Sequence, residues 1–284
     1  MINNVTFGSD PEYFIINKDT EMIVSSIGLI NGTKKDPESL GDDFFVLKDN
    51  ILAEGNIPPA SDPIKFMHNL MELKTRILKY LHNIDGSLSL KHSDCLNINP
   101  MFLTDAEALE FGCSPYLNAW DNNTHKANDL SNVNYRTAGF HLHFGYSLDP
   151  HNPYRKDQFN RIIAKAFDIF VVIPSMFKYV DKRRFENYGG LGQFRHTSYG
   201  VECRSLGAYF VDEKYLPWVI DQSCKALSFV KKHSNCDALL TLEKPTVKFL
   251  ENGTFTFDSS IYDDLEISLN EQLIYEKEKI YAHS

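Results

Sequence analysis

Polar and apolar positions alternate in four short stretches of the chain, and each alternation puts two polar groups on one side. Asp10-Pro11-Glu12 leads into Tyr13-Phe14-Ile15-Ile16, and Glu54-Gly55-Asn56 follows Ile51-Leu52. His141-Leu142-His143 lies within 135–145, and Glu202-Cys203-Arg204 closes the run 199–204. In a strand, residues two apart share a face. One such pair is noise. Four of them predict an antiparallel sheet with one face lined by carboxylates, imidazoles and guanidinium groups. Cys203, between Glu202 and Arg204, is expected on the opposite face as a core residue.

Other elements follow from period and punctuation. Residues 1–60 read as strands and turns, with Lys48-Asp49-Asn50 joining a hairpin. Ser61-Asp62-Pro63 predicts a helix start, Met67, Leu70, Met71, Ile77, Leu78 and Leu81 its inner stripe, and Asp85-Gly86 its end. Residues 87–99 read as extended, and Thr104-Asp105-Ala106-Glu107 as the capping box of a short helix. The Asn- and Asp-rich stretch 113–134 predicts a loop at the site. A second long helix carries Phe159, Ile162, Ile163, Ala166, Phe167, Phe170 and Val171, with Pro174 expected to kink or end it. A third spans roughly 212–232, and from about residue 237 a strand pair and a charged helix are expected. No repeat or linker divides the chain, so 1–284 reads as one α+β domain.

Composition narrows the function. At 284 residues, 43% hydrophobic and 24% charged, the chain can bury a sizeable core. A formal charge of −9 disfavours nucleic-acid binding through a general basic surface. Cys95, Cys113, Cys203, Cys224 and Cys236 are scattered, odd in number and without a CxxC, which speaks against a zinc site or a disulfide framework and for a reducing cytoplasm. No apolar run nears the ~20 residues of a membrane span, and no signal peptide is evident.

The stretch 188–204, YGGLGQFRHTSYGVECR, concentrates the chemistry. Arg195 follows a glycine-rich loop, and Glu202 and Arg204 share a strand face. This reads either as a site for a metal-bound phosphate or as a surface hairpin with a chance ion pair. Hard cations such as Mg²⁺ prefer oxygen ligands, and Glu12, Glu54 and Glu202 are the first candidates. His141 and His143 can complete such a site or bind phosphate; the alternative is a hydrogen-bonded core histidine. Lys182-Arg183-Arg184 reads either as a solvated helix end or, through Arg184, as a nucleotide contact. His68, His82, His125, His151, His196 and His233 stand alone and read as surface or packing residues. There is no Walker motif, kinase motif set or nucleophile elbow, so any ATP is held by metal bridging from a sheet surface.

In order, the chain presents Gly8-Ser9-Asp10-Pro11-Glu12-x-Phe14, Glu54-x-Asn56-x-Pro58-Pro59, and Arg136-x-Ala138-Gly139-x-His141-x-His143-x-Gly145. Then comes Tyr188-Gly189-x-x-Gly192-x-Phe194-Arg195-x-x-x-Tyr199-Gly200-Val201-Glu202-x-Arg204. Across about residues 5–210 this resembles the phage-type carboxylate–amine (COOH–NH2) ligases, type 2, relatives of glutamine synthetase and glutamate–cysteine ligase. The last block is the most specific part. The resemblance implies a curved antiparallel sheet of the glutamine synthetase catalytic type, with helices on its convex side. It implies two or three Mg²⁺ or Mn²⁺ ions and ATP-dependent amide formation through an acyl phosphate. Carried over by position, Glu12, Glu202, Asp10, Glu54 and His141 are implied metal ligands, Asp10 and Glu54 also substrate-amine contacts, and Glu54 also catalytic. His141, His143 and Arg195 are implied nucleotide contacts, and Arg195 and Arg204 catalytic arginines; Arg184 remains a nucleotide candidate from the basic run alone.

The implied partners are a small-molecule or peptide carboxylate and an amine, in the cytoplasm (a host's, if phage-encoded), with a homo-oligomer left open. Glutamine synthetase has Glu-x-Glu where this chain has Asp10-Pro11-Glu12, and the chain begins almost at its first motif, so glutamine synthetase itself is not expected. Residues 237–284 are read as a C-terminal extension outside the resemblance. Two further readings stay open: a guanidine phosphotransferase on the same kind of sheet, and a nucleotide- or peptide-binding module with a decayed site.

Overall fold

A single strand, β1 (Ile2–Asn17), is the spine of the fold in the computed structural model, which describes residues 2–109, 116–121, 123–125 and 133–273. On one edge, β11 (Phe140–Leu148) pairs with its first half, from Ile2↔Leu148 to Pro11↔Phe140. On the other edge, β5 (Leu52–Asn56) meets it at Glu12↔Glu54 and Tyr13↔Ala53. Its end takes β2 (Ile23–Val24) and β6 (Leu88–Lys91). Outward from β5 lie β4 (Phe44–Asp49) and β3 (Glu38–Gly41). Outward from β11 lie β13 (Gly200–Cys203), β12 (Gln193–His196), β8 (Tyr116–Asn118) and β9 (Thr124–His125). Small ribbons join β7 (Cys95–Asn97) to β10 (Tyr135–Thr137) and β14 (Val247–Phe249) to β15 (Phe255–Phe257). All these pairings are antiparallel, and with its helices the chain is α+β.

The helices Pro63–His82, Lys156–Phe167 and Leu216–Phe229 pack on one sheet face, while Ala108 of a short helix joins a second small core around Phe14. In α1 (Pro63–His82) the Asp62 side chain accepts from the Lys65 amide at 2.8 Å, which caps the start. Its buried stripe is Phe66, Leu70, Leu73, Ile77 and Leu81. The expected Met71 is 39% exposed instead, because the stripe in contact with the sheet runs through Phe66 and Leu73. The Phe7 ring packs against Phe66 and Phe144 with centroids 5.7 and 5.8 Å apart, and Phe144 against Phe167 at 5.8 Å. Tyr13, Leu142, Val201 and Cys203 belong to the same core. The partners of these residues in the alternation, Asp10, Glu12, His141, His143 and Glu202, therefore emerge on the opposite face.

Several expectations are corrected. α3 (Lys156–Phe167) continues through a π-helical stretch, Asp168–Val172, into α4 (Ile173–Met176). Pro174 comes just after the π-helical stretch, where the Ile169 carbonyl accepts from Tyr262 Oη at 2.5 Å instead of from a helix N–H, and the helical path passes it before ending at Met176. Within 113–134, residues 116–118 and 124–125 are strands that extend the sheet, while 113–115, 122 and 126–132 lie outside the described residues. The short α2 (Ala106–Leu109) is capped by Asp105, which accepts from the Glu107 amide at 2.9 Å; Thr104 instead ends a 3₁₀ turn, Pro100–Thr104. After α5 (Lys182–Asn187) and α6 (Leu216–Phe229), the stretch near residue 237 is helical, α7 (His233–Thr241). The expected strand pair follows as β14–β15, then α8 (Ser260–Asp264) and α9 (Leu269–Leu273); the charged residues 274–284 lie outside the described residues. No helix among the described residues is long and apolar enough to cross a membrane.

Candidate active site

The polar face gathers residues from five strands into two acidic clusters. In the first, Asp10 on β1 lies directly opposite His141 on β11, and β13 brings Glu202 alongside. His141 Nδ1 is 3.2 Å from Asp10 Oδ1 and 3.8 Å from Glu202 Oε1. In the second, Glu12 and Glu54 face each other across β1 and β5, and Asp49 joins them from the end of β4. Within each cluster one ligand-type atom per residue lies within 4.8 Å of the others. The sequence suggests one set of Glu12, Glu54 and Glu202. The register splits that set, leaving Glu202 with Asp10 and His141.

Burial decides the electrostatics. Removal from water pushes the Asp10 carboxyl up, but the charges and hydrogen bonds of His143 and His141 outweigh it and hold Asp10 well below the usual range. Conversely, burial lowers His143, but Asp10 more than compensates and the imidazole ends raised. The two shifts agree on an ion pair, with His143 Nε2 3.1 Å from Asp10 Oδ1. In the second cluster burial raises both glutamates; Glu54 is pushed further by Asp10 and Asp49. Glu12 is fixed by the Gly139 amide, which donates to its Oε2 at 2.6 Å.

Around Glu202 Oε1 stand Arg204 Nε at 3.1 Å and Arg195 Nη2 at 3.2 Å. Despite this convergence the buried oxygen accepts no hydrogen bond among the described residues; these are charge contacts without hydrogen-bond alignment. The Arg195 side chain is 42% exposed at the rim, whereas Arg204 is buried over the Tyr188 ring and turned toward Glu202.

Arg184 departs from its expected role. It is 3% exposed and donates to the carbonyls of Ala138, Ser205 and Leu206 at 2.8–2.9 Å and of Arg204 at 3.3 Å. Its donors hold the chain around 204–206 rather than facing the acidic clusters.

Four residues that sequence reasoning left without a role sit in the site. Tyr188 Oη shares a hydrogen bond with His141 Nε2 at 3.1 Å, and Tyr199 Oη with His143 Nδ1 at 3.0 Å. Both tyrosines lie in the glycine-rich stretch that carries Arg195. Asp49 reads as a hairpin-turn residue, and Lys34 as part of a polar loop. Nothing local marks either; only the β4–β5 pairing and the loop's return place them at Glu54. No family model matches the chain, and no curated protein matches it in sequence.

Proposed function

We propose that the chain is an ATP-dependent carboxylate–amine ligase on a sheet of the glutamine synthetase type, forming an amide through an acyl phosphate. The observation that carries this reading is the pair of acidic clusters side by side on one sheet face, with the half-exposed Arg195 reaching Glu202 from the next strand.

The residues present fit divalent cations. Hard ions such as Mg²⁺ or Mn²⁺ take oxygen-rich donor sets, and the clusters offer five carboxylates and one imidazole. Glu202 Oε1 is a buried acceptor without a hydrogen bond, and Glu12 and Glu54 are buried acids with raised pKa. In this reading Asp10, His141 and Glu202 hold one ion, and Glu12, Asp49 and Glu54 another. Bound there, such ions supply positive charge for the ATP phosphates.

The substrates and the chain do the rest. A carboxylate oxygen attacks the γ-phosphorus, the bond to the bridging oxygen breaks, and ADP leaves. The amine attacks the acyl carbon, phosphate departs, and the amine loses a proton. Phosphorylation is needed because a free carboxylate would have to expel oxide or hydroxide. Arg195, half-exposed at the rim, offers forked donors to the developing charge of the transferred group. Arg204, buried against Tyr188, holds Glu202 in position. The reaction belongs in an ATP-supplied, reducing cytoplasm, where Cys95, Cys203, Cys224 and Cys236 remain free thiols.

Hydroxylamine tests the reading. Incubated with ATP, Mg²⁺ and glutamate, aspartate or short acidic peptides, the protein should form a hydroxamate, with ADP and phosphate in equal amounts. Glu202→Gln should abolish this with the fold intact. A guanidine phosphotransferase would give ADP and a phosphorylated guanidine but no free phosphate, and a binding module none of these. ATP consumption with a bound carboxylate and no hydroxamate would sink the ligase reading.

A further inference from the structure

The second cluster already holds a cation of the chain's own. Lys34 Nζ lies 2.8 Å from Asp49 Oδ2 and 3.7 Å from Glu54 Oε2. A lysine amine is an ammonium at neutral pH, and here Asp49 and Glu54 face it as counter-charges. The Lys34 side chain is 46% exposed, while those of Asp49 and Glu54 are 14% and 11% exposed. The acids are held by strands β4 and β5; the lysine arrives from a loop on a flexible four-carbon stem. In the first cluster the cations at Glu202 are two guanidiniums, the buried Arg204 over Tyr188 and the 42% exposed Arg195, and His143 faces Asp10.

We infer that Lys34 is the resident counter-cation of the Glu12–Asp49–Glu54 cluster, that a divalent ion must displace it, and that Lys34 thereby sets the ion concentration at which this cluster fills. The inference rests on the ligase reading's assignment of an ion to that cluster. Its basis is Coulombic. An ammonium and a dication repel each other, so binding of one works against the other. Without either, three acids crowd one partly buried spot, so the ammonium also stabilises the ion-free protein. The lysine's exposure lets it leave without opening the core. Removing it should therefore have two effects of opposite sign: tighter ion binding and a less stable ion-free protein. A lysine with only a structural role would give the second effect alone. One that helps to hold the ion or its ligands would weaken ion binding.

The test is a Mn²⁺ titration, with free Mn²⁺ counted by electron paramagnetic resonance, on native protein and on Lys34→Met and Lys34→Arg. Each is repeated with E202Q, which removes a donor from the first cluster and leaves the second. Lys34→Met should bind Mn²⁺ at the second cluster roughly two- to fivefold more tightly, as expected for removing a competing charge that is about half exposed. Lys34→Arg should stay near native. Ion-free Lys34→Met should melt at a lower temperature, and saturating Mn²⁺ should raise its midpoint more than it raises the native one. If Lys34→Met does not fold, Lys34→Gln gives the same comparison without the charge. If E202Q binds Mn²⁺ but the neutral variant binds no more tightly, the Lys34 inference is overturned and the ion assignment stands. If the native protein and the neutral variants bind no Mn²⁺ at either cluster, both fall.

Discussion

Arg184→Met should be among the most destabilising single substitutions in this chain, while leaving nucleotide contacts untouched. The guanidinium is buried, and its donors reach four backbone carbonyls: Ala138, Arg204, Ser205 and Leu206. Three of these bonds are 2.8–2.9 Å; the fourth, to Arg204, is 3.3 Å and weaker. A buried acceptor left without a donor costs about 1–3 kcal/mol. Three well-formed bonds lost together amount to roughly 3–6 kcal/mol, because relaxation and entering water recover part of the sum. Relief from burying a charge offsets some of this, so the lower half of the range is expected. That is a large share of the ~5–15 kcal/mol typical of a folded protein. At roughly 2–4 °C per kcal/mol, the thermal midpoint should fall by about 6–18 °C. Urea unfolding of both proteins, with the slope checked for constancy, gives the free-energy difference directly. Arg184→Lys should recover only part of the loss, since one ammonium cannot span carbonyls spread over that arc. A variant within ~1 kcal/mol of native that instead lost ATP affinity would refute the argument and restore Arg184 as a nucleotide contact.

Two further outcomes follow from other parts of the molecule. Arg195→Lys keeps the charge but loses the fork, so kcat should fall more than ATP affinity; a pure affinity effect would count against a role in phosphoryl transfer. Burial pushes the Asp168 carboxyl up to about 7, against the hydrogen bond that Trp120 Nε1 donates to it at 2.6 Å. Its folded pKa lies above the unfolded ~3.9, so its contribution to stability is full below about pH 4 and is lost as pH rises to about 7, at most ~4 kcal/mol. The stability difference between native protein and Asp168→Asn, measured by urea unfolding at stepped pH, should fall across that window and level off above it. A pH-independent difference would show that Asp168 stays ionised.

Much of the sheet was legible because strand alternation is a local property. Asp10 and Glu12, His141 and His143, and Glu202 and Arg204 had to share faces once their segments were extended, and Cys203 had to face the core. The start of α1 was equally local: Asp62 and Pro63 act within one turn. Which stripe of α1 faces the sheet was not, and the choice of Leu73 over Met71 came from packing. The grouping of the acids depended on register between strands far apart in sequence. Glu12 meets Glu54 only because β5 pairs with the second half of β1 on the edge opposite β11, and Asp49 and Lys34 join them through β4 and a returning loop. Arg184 looked like its basic neighbours. Only burial showed its donors committed to backbone carbonyls. The sequence by itself determined which residues can carry charge and on which side of their own strand they stand. The tertiary structure decided which of those charges meet and which are turned inward, because register and desolvation are properties of the assembled sheet.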